Sequence, residues 1–217
     1  MERTEATEVI VFDLDGTLVD SKEFMILSFT TTLTAHGFSF PSWEDFLSKC
    51  RGMGLKDVYQ ILTGLSDANF LCKEHRKWQA ENKEMVKLFP HIHETLVKIR
   101  TKGLLIALAT NRSAGAEEEL RRLQISEFFS TIRHLGNTPR EFQKPHPRMI
   151  HVVSEELSVD TNRIIMVGDM DDDVKAGKAA RVQKVVGTSY GFYGHRITEH
   201  EPDHVIHSFP EILDFLE

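Results

Sequence analysis

Glu8-Val-Ile-Val-Phe-Asp13-Leu-Asp15-Gly16-Thr17 opens with four consecutive apolar residues that stop at a carboxylate, with a glycine three positions later. That order predicts a buried strand ending in a turn. The same unit recurs toward the C-terminal half. Leu104-Leu-Ile-Ala-Leu-Ala109 stops at Thr110, Arg163-Ile-Ile-Met-Val-Gly168 at Asp169, and Val182-Gln-Lys-Val-Val-Gly187 at Thr188. Between these runs, apolar residues fall at three- and four-residue spacing: Ile92, Leu96 and Ile99; Ala116, Leu120 and Leu123; Met149, Ile150, Val153 and Leu157. Such spacing predicts helices with one apolar face. Strands alternating with helices predict an α/β fold, a Rossmann-like parallel sheet covered on both faces.

Residues 19–88 break the alternation. Leu55, Val58, Tyr59 and Leu62 lie at i, i+3, i+4 and i+7, and Phe70, Leu71, Trp78 and Met85 continue a helical pattern with no strand-like run between them. The segment is expected to be an all-helical insert, with residues 1–18 and 89–217 forming the α/β core. Charge separates the two as well. The insert carries nine basic and nine acidic side chains, leaving 17 basic against 24 acidic in the rest.

The whole chain of 217 residues has a net charge of −7, the wrong sign for neutralising nucleic acid or an anionic membrane surface. Its first ten residues, MERTEATEVI, lack the apolar stretch of a secretory leader, and no apolar run approaches the length of a membrane span. Cys50 and Cys72 are the only cysteines, in no zinc-binding or disulfide-framework spacing. A cytoplasmic protein is expected, a monomer or weak homodimer, with neither nucleic acid nor membrane as partner.

In an open parallel sheet, ligands bind beyond the carboxyl ends of the strands, so the polar residues just past each apolar run are the candidates for chemistry. Four groups stand there or in an adjoining loop: Asp13-Leu-Asp15-Gly16-Thr17, Thr110-Asn111, Lys144-Pro145-His146-Pro147, and Gly168-Asp169-Met-Asp171-Asp172-Asp173. In this order the set resembles the haloacid dehalogenase superfamily, and most closely its phosphoglycolate phosphatase-like branch. The resemblance extends over essentially the whole chain. It implies a helical cap in the insert, a Mg²⁺-dependent phosphotransferase chemistry and a small phosphorylated substrate.

The residue types suit that chemistry. Hydrolysing a phosphate monoester takes a placed nucleophile, charge neutralisation and a proton for the leaving oxygen. Asp13 can form an aspartyl-phosphate, and Asp15 can protonate the leaving oxygen and then take a proton from water. Asp13, the Asp15 main-chain carbonyl, Asp169 and a phosphate oxygen would suit Mg²⁺, which takes oxygen ligands at about 2.0–2.1 Å and keeps several waters. Thr110 can hydrogen-bond the phosphoryl group and Lys144 can neutralise its charge. By the resemblance, Asp173 helps hold the metal, Asn111 attends the substrate, and Arg51 and Gly52 belong to a cap loop that faces it. Asp171 and Asp172 suit the start of a helix. Met170 departs from the small hydroxyl residue common in the family there.

Two other activities share parts of this pattern. A phosphomutase of the β-phosphoglucomutase kind has the same aspartate pair, but its fourth motif usually starts Glu-Asp rather than Gly168-Asp169. Dehalogenases and phosphonate-cleaving enzymes lack the second aspartate. A catalytically idle binding domain would keep the fold without turnover. His91 and His93, two apart, would face different sides of a helix and make a poor metal pair. His195 lies in a glycine-rich loop after a strand, from which it could approach the crevice.

Overall fold

The computed structural model describes residues 6–112 and 115–216. Met1 to Glu5, half of the charged start, lie outside the described residues, as do Ser113, Ala114 and Glu217. The strands are β1 (Val9–Phe12), β2 (Val19–Asp20), β3 (Lys87–Leu88), β4 (Leu105–Thr110), β5 (Thr131–His134), β6 (Ile164–Gly168), β7 (Lys184–Thr188) and β8 (His204–Ile206). The α-helices are α1 (Lys22–Ala35), α2 (Trp43–Cys50), α3 (Leu55–Thr63), α4 (Asn69–Glu81), α5 (Ile92–Thr101), α6 (Ala116–Arg122), α7 (Arg148–Leu157) and α8 (Asp171–Ala180). The chain forms two compact units, one running to Asp20 and again from Leu88, the other Ser21–Lys87.

The first unit is built on six strands in the order β5-β4-β1-β6-β7-β8, every neighbouring pair parallel. This is the expected Rossmann-like α/β sheet. β1 lies inside it, and Val9 through Phe12 are fully buried. Burying a side chain of this size contributes about 1.5–3 kcal/mol, so the four apolar residues before Asp13 firmly fix where β1 ends. Alternate residues serve opposite faces. Val9 and Val11 join Ala107, Ala109, Ile164 and Met166 against α7 and α8, while the Phe12 ring meets Phe209 at a tilt, and the Phe209 segment packs with α5 on the other face.

Register places the functional ends side by side. Phe12 pairs with Leu108 on one flank and Val167 on the other, and the Asp13 amide continues the ladder to the Val167 carbonyl at 2.9 Å. Asp13, Thr110 and Asp169 therefore leave three adjacent strands at nearly one level.

The sheet differs from expectation at its edges. β5 and β8 were not expected from the sequence, because Thr131–His134 is a half-exposed edge strand with one apolar residue and His204–Ile206 is only three residues long. β4 starts one residue later than expected, and β7 covers Lys184–Thr188.

The helical unit holds α1–α4 around Phe29. Its ring lies 4.6 Å from His75, 4.9 Å from Phe46 and 5.4 Å from Tyr59 between centroids. Inside, the Tyr59 hydroxyl and His75 Nδ1 hydrogen-bond at 2.8 Å, so neither polar group is left unmatched. The helical pattern through Met85 ends earlier than its spacing implies. α4 stops at Glu81, and Met85 sits in a short 3₁₀ turn, Lys83–Met85.

Candidate active site

Asp13 follows β1, Asp169 follows β6, and Asp173 lies in the first turn of α8. Their carboxylate oxygens come within 4.8 Å of one another, and all three side chains are buried. Lys144, also buried, donates from Nζ to Asp13 Oδ1 at 2.6 Å and to Asp173 Oδ1 at 2.5 Å. The other oxygen of Asp173 accepts the Met170 amide at 3.0 Å, closing the start of α8. Asp169 accepts from the Thr17 hydroxyl at 3.3 Å and from the Phe192 amide at 2.6 Å.

Three carboxylates thus surround one ammonium group in a space largely closed to water. Burial raises Asp13 to about 6, with Lys144 opposing that rise and Asp173 adding to it. Burial and the neighbouring carboxylates Asp173 and Asp13 push Asp169 well above the usual carboxylate range. Asp173 is also raised, chiefly by burial and against the pull of Lys144. Burial works against the charge of Lys144, but Asp13 and Asp173 overcome it and hold the amine above its ordinary value. Such crowding is relieved by a cation. The buried donor set is all oxygen, which suits a hard divalent ion such as Mg²⁺.

The loops that carry these groups are tied together. Gly16 turns with φ +84°, and a Cβ there would stand 2.2 Å from Asp169 Oδ2, so the position excludes any larger residue. Asn111 clasps the main chain of Lys144 in both directions, Nδ2 donating to the Lys144 carbonyl at 2.8 Å and Oδ1 accepting its amide at 2.9 Å. Thr110, buried at the end of β4, accepts the Arg112 amide at 3.2 Å. Asp15 points its carboxylate at Arg112, in bonds of 2.9 and 2.7 Å. Asp171 bonds Tyr193 and Lys175 at the start of α8, away from the triad.

Asp13, Lys144, Asp169 and Asp173 are thus in one cluster, with Thr110 at the end of β4 and Asn111 directly after it. Arg51 caps α2 and Gly52 turns after it, both exposed within the helical unit. His91 precedes α5 rather than lying in it, and His93 packs its ring on Phe128. His195 lies beside His207.

One participant was not expected from the sequence. Arg112 follows Thr110-Asn111 directly, but its partner is 97 positions away and no spacing announces the pair. The glycine-rich loop that carries His195 does reach the site, but at Tyr190–Phe192, through the Phe192 amide on Asp169 at 2.6 Å and the Tyr190 hydroxyl on the Thr17 carbonyl at 3.1 Å. Gly191 is the available signal, since a Cβ there would meet Asp169 Cβ and the Gly16 carbonyl at 2.3 Å.

The sequence model of the haloacid dehalogenase-like hydrolases matches residues 10–187. The chain belongs to that family. It is 28% identical to a phosphoglycolate phosphatase of Salmonella typhimurium, over all of this chain and 95% of that protein. It is 27% identical to the pyrophosphatase PpaX of Halalkalibacterium halodurans, over 95% of each. A crystal structure described as a predicted phosphoglycolate phosphatase from Haemophilus somnus superposes with a TM-score of 0.87. That likeness has 26% identity and spans 97% of this chain and 98% of the other. Within the family the chain falls in the phosphoglycolate phosphatase-like branch.

Proposed function

We propose that this chain hydrolyses a small phosphorylated metabolite through an aspartyl-phosphate on Asp13. The observation that carries the reading is the buried cluster itself. Asp13 lies at the exit of an interior strand, its carboxylate shared with Lys144 and crowded by Asp169 and Asp173. A cluster kept for stability alone would pair its charges evenly; this one has an excess of carboxylates, as a bound cation requires.

In this reading Asp13 attacks phosphorus while Asp15 gives a proton to the leaving oxygen, and Asp15 then takes a proton from the attacking water. Lys144 neutralises phosphoryl charge, and Thr110 donates its hydroxyl hydrogen to a phosphoryl oxygen. Asn111 serves by fixing the main chain of Lys144. Mg²⁺ would be held by Asp13, the Asp15 carbonyl and Asp169, with Asp173 supporting the set. When bound it supplies charge neutralisation and orientation of the phosphoryl group. The helical unit is the proposed cap, and substrate choice is assigned to it through Arg51 and Gly52. Among the described residues no helix is long and apolar enough to cross a membrane. The two cysteines are buried and unpaired, which fits the reducing cytoplasm as the location.

The test is phosphate release from a panel of phosphorylated metabolites with Mg²⁺ present, including phosphoglycolate, pyrophosphate, sugar phosphates and nucleotides. Release of inorganic phosphate from one group of substrates is expected, and Arg51→Ala should change their ranking or raise KM. Transfer to a second hydroxyl of a sugar, without free phosphate, would establish a mutase instead. Neither release nor transfer across the panel would leave an idle binding domain and overturn the reading.

A further inference from the structure

Arg112 stands one residue beyond Thr110-Asn111, and no role above uses it. Its Nε donates to Asp15 Oδ2 at 2.9 Å and its Nη2 to Asp15 Oδ1 at 2.7 Å, so the planar fork meets both oxygens of one carboxylate. Both side chains are about four-fifths buried. The terminal torsion of an aspartate is broad and poorly fixed when left to itself. Two parallel N–H···O bonds from a guanidinium fix the plane of the carboxylate, which a lysine ammonium cannot do.

The guanidinium is itself firmly mounted. The Arg112 amide donates to Thr110 Oγ1 at the end of β4, and the preceding Asn111 is clasped to Lys144. Burial works against the charge of Arg112, but Asp15 first and then Glu119, on α6, keep it cationic.

We propose that Arg112 is a positioning residue that orients Asp15 for proton transfer to and from the substrate. The inference rests on the phosphatase reading above. In the first half of that reaction the Asp13–phosphorus bond forms as the ester P–O bond breaks, and the Asp15 proton passes to the leaving oxygen. In the second half the water oxygen bonds phosphorus as the Asp13–phosphorus bond breaks, and a water proton passes to Asp15. Arg112 exchanges no proton in either half. It holds the carboxylate plane fixed and faces the charge that appears there when the proton departs.

A positioning role of this kind has a signature in the leaving group. An alkoxide leaves poorly without a proton, whereas a nitrophenolate leaves without one. Steady-state kinetics would compare parent, Arg112→Met and Arg112→Lys on p-nitrophenyl phosphate and on the alkyl monoester with the highest turnover in the panel above. For Arg112→Met, kcat/KM, which reports the first half only, should fall about a hundredfold on the alkyl ester and change by less than about fivefold on the aryl ester, while kcat, which includes the shared second half, falls on both. Arg112→Lys, which keeps the charge and loses the fork, should show the same bias at smaller size, and it gives the comparison if Arg112→Met does not fold.

An Asp15→Asn background sharpens the test. If Arg112 acts through Asp15, adding Arg112→Met there should change alkyl-ester turnover by less than about twofold. Equal losses of kcat/KM on both esters, or a full further loss in the Asp15→Asn background, would overturn the inference while leaving the phosphatase reading intact. A parent inert on every ester would overturn both.

Discussion

At the strand ends of the α/β unit the buried polar groups are charged and mismatched, with Asp13, Asp169 and Asp173 gathered around Lys144. In the helical unit the corresponding buried pair is neutral and matched, with Tyr59 bonded to His75 inside a ring of aromatic side chains. Both arrangements satisfy their hydrogen bonds, yet their electrostatics run in opposite directions. Burial raises Asp13 to about 6, because it is asked to hold a negative charge beside others. Burial, with the nearby Arg76, lowers His75 to about 4, because it resists gaining a positive one. The first arrangement costs stability until a cation or substrate arrives, which is what a functional site tolerates. The second serves packing alone.

The comparison is tested most strongly at Asp13. If the crowded carboxylates exist for chemistry, Asp13→Asn should lower kcat by at least about 10⁴-fold, since an amide is not a nucleophile. Its melting temperature should stay within a few degrees of the parent, because the change removes both a repulsion and one partner of Lys144. Turnover within about tenfold of the parent, measured on the best substrate, would show the cluster to be structural after all.

Metal and pH give the next largest effect. Between an unfolded aspartate near 3.9 and the folded Asp13 near 6, the folded state binds more protons. Without metal, stability should therefore fall as pH rises through that window. Mg²⁺ needs the ionised carboxylates, so its stabilisation should grow over the same range. Melting curves in EDTA and in Mg²⁺ at pH 5 and pH 7.5 should separate more widely at the higher pH, and EDTA should abolish turnover. Equal separation at both values, or full activity in chelator, would remove the cation from the account.

The two units were not equally legible in the sequence. In the α/β unit each apolar run stops at a polar residue, so Asp13, Thr110 and Asp169 mark the strand ends as well as the proposed chemistry. The edge strand β5 escaped because a half-exposed edge needs few apolar residues, and β8 because three residues make too short a run. Arg112 escaped because ion pairing across 97 positions leaves no periodic trace. In the helical unit the spacing announced helices, but nothing in it distinguished His75 from a surface histidine. Its burial follows from the aromatic residues that α1, α2 and α3 bring around it, a tertiary fact.

The smallest effect expected is also the one most specific to the helical unit. His75 titrates near 4 when folded and near 6.5 when unfolded, so between those values the unfolded state binds more protons. Stability of this unit should then rise with pH, opposite to the metal-free carboxylate cluster. Lowering pH from 7 to 5 should cost about 2 kcal/mol. Trp43 and Trp78 are the only tryptophans in the chain and both lie in this unit, so their fluorescence follows its unfolding alone. The denaturant midpoint read from that signal should drop between pH 7 and pH 5 in the parent. His75→Gln keeps a polar group near Tyr59 but has no charge to gain, so it should be less stable at pH 7 and much less sensitive to pH. If the variant shows the parent's full slope, the pH dependence arises elsewhere and the contrast between the two buried polar sites fails at its helical half.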